Sequence, residues 1–189
     1  MRITGGAIRG RRLAKITDLT IRPTSDRVRT AIFNLLGQQL AGTNVLDLFA
    51  GTGSLGIESL SRGAVKAVFI DKSRKAVSII KKNLEIAGYE SVSLVLREEL
   101  PKGLRRAQDL CHGAFDLVFI DPPYGKGYIR PTIDALLERN LLGQESTVIV
   151  ESSSEANDSL PSLIPGLHLR DTRGYGSTLI GVYATGEDG

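Results

Sequence analysis

The chain has 189 residues, 41% of them hydrophobic and 24% charged, with a formal net charge of +3. This composition excludes a disordered or fibrous protein and fits one domain, residues 1–189, with a substantial core. A single cysteine, Cys111, excludes an internal disulfide and any multi-cysteine metal site. No apolar stretch approaches the roughly 18 residues needed to cross a membrane, and no signal-type apolar region opens the chain, so a cytoplasmic protein without a metal is expected.

In chain order, the charge is uneven from the start. Residues 1–29 carry eight Lys and Arg against two Asp, a net +6, which leaves −3 for the rest. A basic arm on a near-neutral domain is the footprint of a phosphate-backbone binder; the alternative is a solvated surface with no partner. The first fifteen residues read as a hairpin that turns at Gly5-Gly6. Thr24 or Ser25 caps a helix that begins near Asp26 and stops at Gly42, with Val28, Ala31, Ile32, Leu35 and Leu36 as its apolar stripe. Arg27 and Arg29 straddle Val28, which places both near solvent.

Val45-Leu46-Asp47-Leu48-Phe49 reads as a buried strand. It runs into Ala50-Gly51-Thr52-Gly53-Ser54-Leu55-Gly56, a G-x-G-x-x-G between a strand and a helix, where glycines let backbone approach a ligand closely. The next apolar run, Ala67–Ile70, ends in Asp71, whose carboxylate can accept from ribose hydroxyls. Together these features indicate a nucleoside-containing cofactor, and two classes compete. A dinucleotide would set its pyrophosphate at the helix start. Asp47 sits four residues before the first glycine; there it would repel a pyrophosphate and could receive the ammonium of S-adenosylmethionine, directly or through water. Ser73 caps a further helix that ends at Gly88, with Ala76, Ile79, Ile80, Leu84 and Ala87 inward.

Leu117-Val118-Phe119-Ile120 then delivers Asp121-Pro122-Pro123-Tyr124 to a strand's carboxyl end. The prolines stiffen the turn and remove donors. The Asp121 carboxylate, the Pro122 carbonyl and the Tyr124 ring together suit a planar base with an exocyclic amine. Strands near 45–49, 67–71, 92–96, 115–120, 146–151, 167–171 and 177–184 alternate with helices, which implies an α/β, doubly wound, mostly parallel sheet. Asp47, Asp71 and Asp121 each end a strand and should share one edge; Asp116 begins its strand and reads as structural. Ser152-Ser153-Ser154 reads as a loop. Lys81-Lys82 and Arg105-Arg106 read as solvated helix faces, and Cys111 as a half-buried small residue. His112 and His168 have no partner for metal or triad chemistry. Tyr175 is either part of a tight turn or a substrate contact.

The chain resembles the bacterial RsmD family along nearly its whole length. Met1–Gly6 with Arg9–Leu13 is similar to the family's arm, and the Gly51 loop and the Asp121 tetrapeptide are similar to motifs shared by many methyltransferases. Arg22-Pro23-Thr24-Ser25-Asp26-Arg27-Val28-Arg29 with Ala31-Ile32-Phe33-Asn34 is the segment that points to this family. The resemblance implies a Rossmann-like, seven-stranded class I methyltransferase, its last strand antiparallel, with a basic β-hairpin arm over residues 1–22. It implies S-adenosylmethionine as cofactor, held by Asp47, Phe49, Ala50, Gly51, Thr52, Gly53, Asp71, Lys72, Glu98 and Asp121. It implies methyl transfer to the N2 amine of a guanine in small-subunit (16S) ribosomal RNA, free or in an assembling 30S particle, by a monomer whose catalytic residues are Asp121, Pro122 and Tyr124. Arg9, Arg11, Arg12, Arg22, Arg27 and Arg29 would contact the RNA. Two departures stand out: Asp71 replaces the usual Glu, and Arg97-Glu98-Glu99-Leu100 replaces a Gly-Asp-Ala stretch, which leaves Glu98 and Glu99 as alternatives at the adenine end. An adenine-N6 methylase, a dinucleotide oxidoreductase and a non-catalytic RNA-binding protein are the competing functions.

Overall fold

Serine side-chain caps start two of the helices. The computed structural model describes residues 1–15, 25–37, 39–111, 113–154 and 160–186. Arg22, Thr24 and His112 lie outside the described residues. Helix α1 (Asp26–Leu35) begins at Ser25, whose hydroxyl accepts from the Val28 N–H, an N-cap that satisfies one orphan donor. It ends earlier than the expected Gly42, because Gly37 at φ 85° turns the chain out of the helix. Helix α3 (Arg74–Ala87) is bounded as expected, by the Ser73 cap and by Gly88 in the left-handed conformation.

The remaining elements are β1 (Asn44–Leu48), α2 (Ser54–Ser61), β2 (Lys66–Asp71), β3 (Ser93–Arg97), α4 (Leu104–Leu110), β4 (Phe115–Ile120), α5 (Ile129–Glu138), β5 (Leu142–Ser153), β6 (His168–Tyr175) and β7 (Thr178–Ala184). They build one seven-stranded sheet in the order β3-β2-β1-β4-β5-β7-β6. Strands β1 to β5 pair in parallel and β7 is antiparallel to both neighbours. Ser152 and Ser153 belong to β5, because they pair with Leu179 and Thr178 of β7; the serine run is not wholly a loop. The order reverses between β1 and β4, so a crevice opens beyond their carboxyl ends.

Each strand sends alternate residues to opposite faces. Val45, Phe69, Leu117 and Phe119 pack with Phe33 of α1, Ile57 of α2 and Ile80 of α3. Leu46, Val68, Val118 and Val148 pack with Leu104 of α4 and Ile133 of α5 on the other face. Two buried apolar layers thus fix the sheet, and its carboxyl edge becomes a rigid platform. At the opposite edge Asp116 accepts from the Asn44 N–H at 2.7 Å, the structural role expected of it.

The first fifteen residues form a hairpin, with an antiparallel bridge between Arg2 and Arg12. It is not a free arm. Ile3 and Leu13 are buried in the core, and the Gly5 carbonyl accepts from the Ser61 hydroxyl at 2.6 Å. Among the described residues, no helix is long and apolar enough to cross a membrane.

Candidate active site

The loop after β1 turns through left-handed backbone. Phe49, Gly51 and Gly53 have φ of 56°, 55° and 75°. Gly56 serves packing: a Cβ there would overlap the Phe69 ring, so only glycine lets α2 approach β2 this closely. The Ala50 N–H donates to the Ile70 carbonyl at 3.1 Å, which ties the loop to the end of β2. There Asp71 grips both neighbours. Its Oδ2 accepts from the Gly51 N–H at 2.9 Å and its Oδ1 from the Ser73 N–H at 2.8 Å. Each oxygen keeps a second lone pair.

Above this edge lies a cavity of about 480 Å³. Phe49, Ala50, Gly51, Thr52 and Asp71 line one part of it, and Asp121, Pro122, Pro123 and Tyr124 another. Lys72, Glu98 and Glu99 also line it. Five carboxylates (Asp71, Glu98, Glu99, Asp121 and Glu151) face one ammonium, Lys72, in this lining. Such a wall opposes a pyrophosphate and favours a cationic ligand.

The acceptor end is stiff. Tyr124 donates its hydroxyl to Glu151 Oε1 at 2.8 Å. Burial first, then the Glu151 charge, pushes the Tyr124 phenol well above its ordinary value, so it remains a donor. Tyr128 packs against Phe49, with ring centroids 5.5 Å apart, and joins the two halves of the lining.

Asp47 corrects the expectation of a direct ligand contact. It is 2% exposed, does not line the cavity, and accepts from the Gly56 N–H at 2.9 Å. The alternation that turns Val45 toward the α2 layer turns Asp47 there too. Burial raises its pKa from 3.8 to about 8, against the opposing pull of the Gly56 hydrogen bond. Asp47 therefore organises the loop from beneath and makes no direct contact in the cavity. Gly53 is likewise outside the lining: it caps α2 and sits over Ile80 and Phe69.

Comparison with known proteins now adds to this geometry. The family model described as Conserved hypothetical protein 95 matches residues 1–184. Ribosomal RNA small subunit methyltransferase D of Escherichia coli K12 is 33% identical over 171 residues, which cover 86% of this chain and 79% of that protein. The chain belongs to the RsmD family. A solved Streptococcus pyogenes structure, described as a conserved hypothetical protein, is 42% identical, with a TM-score of 0.74, covering 84% of this chain and 95% of that one. The fold likeness extends to the O-methyltransferase of Bacillus cereus in complex with SAH, 16% identical with a TM-score of 0.70, covering 88% and 85% of the two chains. The sheet is that of the class I methyltransferases.

In this RsmD-family chain the basic residues divide. Arg9, Arg12 and Arg27 are exposed. Arg11 is exposed too, but donates to the Ile86 carbonyl at 3.0 Å and to that of Ala87 near the end of α3. Arg29 is the second correction. It is 0% exposed, pairs with Glu58 at 3.3 Å, and donates to the Arg2 carbonyl and to Asp26. The hairpin and α2 close over its side of α1, so it cannot reach a phosphate.

Several contributors escaped the sequence reading: Ser25 and Val28 of α1, Tyr128, Thr178 and above all Glu151. Glu151 carried a usable signal. It follows the apolar run Val148-Ile149-Val150, as Asp71 and Asp121 follow theirs. In the buried cluster of Glu58 with Arg29 and Arg62, the Arg62 partner lies one helical turn away, but Arg29 lies 29 residues away on another helix and carried no local signal.

Proposed function

We propose that the cavity binds S-adenosylmethionine and that the protein methylates the exocyclic N2 of a guanine in small-subunit ribosomal RNA. One observation carries this reading: the Asp71-anchored glycine loop and the Asp121-Pro122-Pro123-Tyr124 turn line the same cavity. Asp71 would hold the ribose hydroxyls, the Gly51–Thr52 backbone the amino-acid end, and Glu98 or Glu99 the adenine end. The acidic lining fits a cationic sulfonium and ammonium ligand and disfavours a dinucleotide. The bound cofactor supplies an electrophilic methyl group.

The chain's own residues prepare the nucleophile. Guanine N2 is weakly nucleophilic because its lone pair is delocalised into the ring. Asp121 and the Pro122 carbonyl accept its two N–H bonds and draw the nitrogen toward tetrahedral geometry, while Tyr124 stacks on the ring. N2 would take the methyl of a bound methyl sulfonium while the sulfur keeps the C–S bonding pair, and Asp121 or solvent would take the proton that N2 gives up. Most of the rate comes from proximity and orientation. The base must be splayed out of its stack to enter. Arg9, Arg12 and Arg27 bind phosphates beside it, and neutralising any one of them flattens the salt dependence of RNA binding by roughly 0.7–0.9 in slope.

The test uses the full-length protein, labelled S-adenosylmethionine, and small-subunit particles or RNA from cells that lack the gene. Nucleoside mass analysis should find N2-methylguanosine. N6-methyladenosine instead would establish the adenine reading. Cofactor binding without transfer would leave a binding protein, and calorimetric binding of NAD alone would make it an oxidoreductase.

A further inference from the structure

We propose that Glu151 selects the target base, by accepting the N1–H of guanine while Asp121 holds the adjacent N2 amine. This rests on the reading above and assigns a specificity-determining residue to the same site.

The placement follows from strand register. Ile120 of β4 pairs with Val150 of β5. The next residues, Asp121 and Glu151, therefore emerge side by side at the carboxyl ends of neighbouring parallel strands, and both line the cavity. Glu151 is 6% exposed, and the Tyr124 hydroxyl fixes its Oε1 at 2.8 Å. Thr178 also lines the cavity. The carboxylate is thus held in one orientation next to the ring expected to stack on the base.

The chemistry of the bases decides what such a pair can hold. Guanine presents two neighbouring donors on its Watson–Crick edge, N1–H and the N2 amine. Two adjacent carboxylates match them. Adenine presents an amine beside the bare N1 lone pair, and cytosine an amine beside the bare N3 lone pair. With the amine on Asp121, either base would point a lone pair at Glu151. That is a repulsive element against the wrong base as well as an attractive one for the right base. An alternative role for Glu151 is to prop Tyr124. A prop needs only a neutral acceptor, and a further charge in a lining that already holds Asp71 and Asp121 is unfavourable by itself.

The experiment separates selection from propping. The methylated position is first mapped with the wild-type protein. The small-subunit RNA is then made with guanine or with 2-aminopurine at that position, the latter keeping the N2 amine but replacing N1–H by a lone pair. Wild-type kcat/KM should fall at least about tenfold on 2-aminopurine, and Glu151→Gln, whose amide can donate to N1, should narrow that ratio by a similar factor. A wild-type protein that methylates both RNAs equally overturns the inference without recourse to any variant. A Glu151→Gln protein that slows both substrates by one common factor also overturns it and leaves Glu151 as a support for Tyr124. Absence of N2-methylguanosine on the natural RNA would instead refute the proposed function itself.

Discussion

Buried carboxylates on the two sides of this molecule are treated in opposite ways. At the junction of the hairpin, α1 and α2, Glu58 is 0% exposed and fully compensated. It pairs with Arg62 at 2.9 Å and Arg29 at 3.3 Å, and accepts from the Thr4 N–H at 2.8 Å. Beneath the glycine loop, Asp47 is equally buried but has the Gly56 N–H as its one hydrogen-bond donor among the described residues, and no cation. The first region uses its polar groups to hold elements together. The second gives its acid no countercharge among the described residues, and burial raises its pKa to about 8. Burial alone does not set the state of an acid; its partners do.

Removing Glu58 should break the contrast most severely. Glu58→Gln takes the shared buried carboxylate from Arg29 and Arg62, although Arg29 keeps Asp26, and should cost about 3 kcal/mol in urea unfolding. A loss under about 1 kcal/mol would mean that the network only decorates a packing junction.

Asp47→Asn should do the opposite. The folded state raises this group's pKa from 3.8 to about 8, so it binds the proton more tightly than the unfolded chain does. Its contribution is fully present below about pH 4 and is lost as pH rises through about 8. The asparagine variant lacks this dependence. It should therefore gain on the wild type as unfolding is repeated from about pH 5 to pH 9. A gain in the reverse direction would reveal a cation beside the carboxylate.

At the cavity the same kind of residue should affect function instead of stability. Asp121→Ala should lower turnover by about 100-fold through misplacement of the amine, with cofactor affinity nearly intact. Single-turnover assays with calorimetry in parallel would check this, and an equal loss of affinity would move Asp121 from the acceptor to the cofactor. Asp71→Ala should weaken cofactor binding by roughly 1–3 kcal/mol, the cost of unmatched hydroxyls and of two released loop N–H groups. Unchanged affinity would place the ribose elsewhere.

Much of this molecule was legible in its sequence because the signals were local. Apolar runs bounded by turn residues placed all seven strands within a few residues, and Ser73 and Gly88 bounded α3 through cap geometry that depends on a few neighbouring residues. The strand-end rule gathered Asp71 and Asp121 at one edge, since parallel strands in a doubly wound sheet present their carboxyl ends together. The sequence also carried the family resemblance that the comparison confirmed. Only the tertiary structure decided which charged groups face outward. Arg29 looked solvent-facing from its helix stripe, yet the hairpin packs over that side of α1. Glu58 lies on α2, whose eight residues are all buried, and its Arg29 partner, 29 residues away, has no marking pattern. Asp47 ends its strand like the other acids, but the pleat turns it beneath the loop. Glu151 joined the site through the register of β4 against β5. Local rules fix where an element begins; the surroundings of Arg29 and Glu151 come from elements distant in the chain, and only packing brings those together.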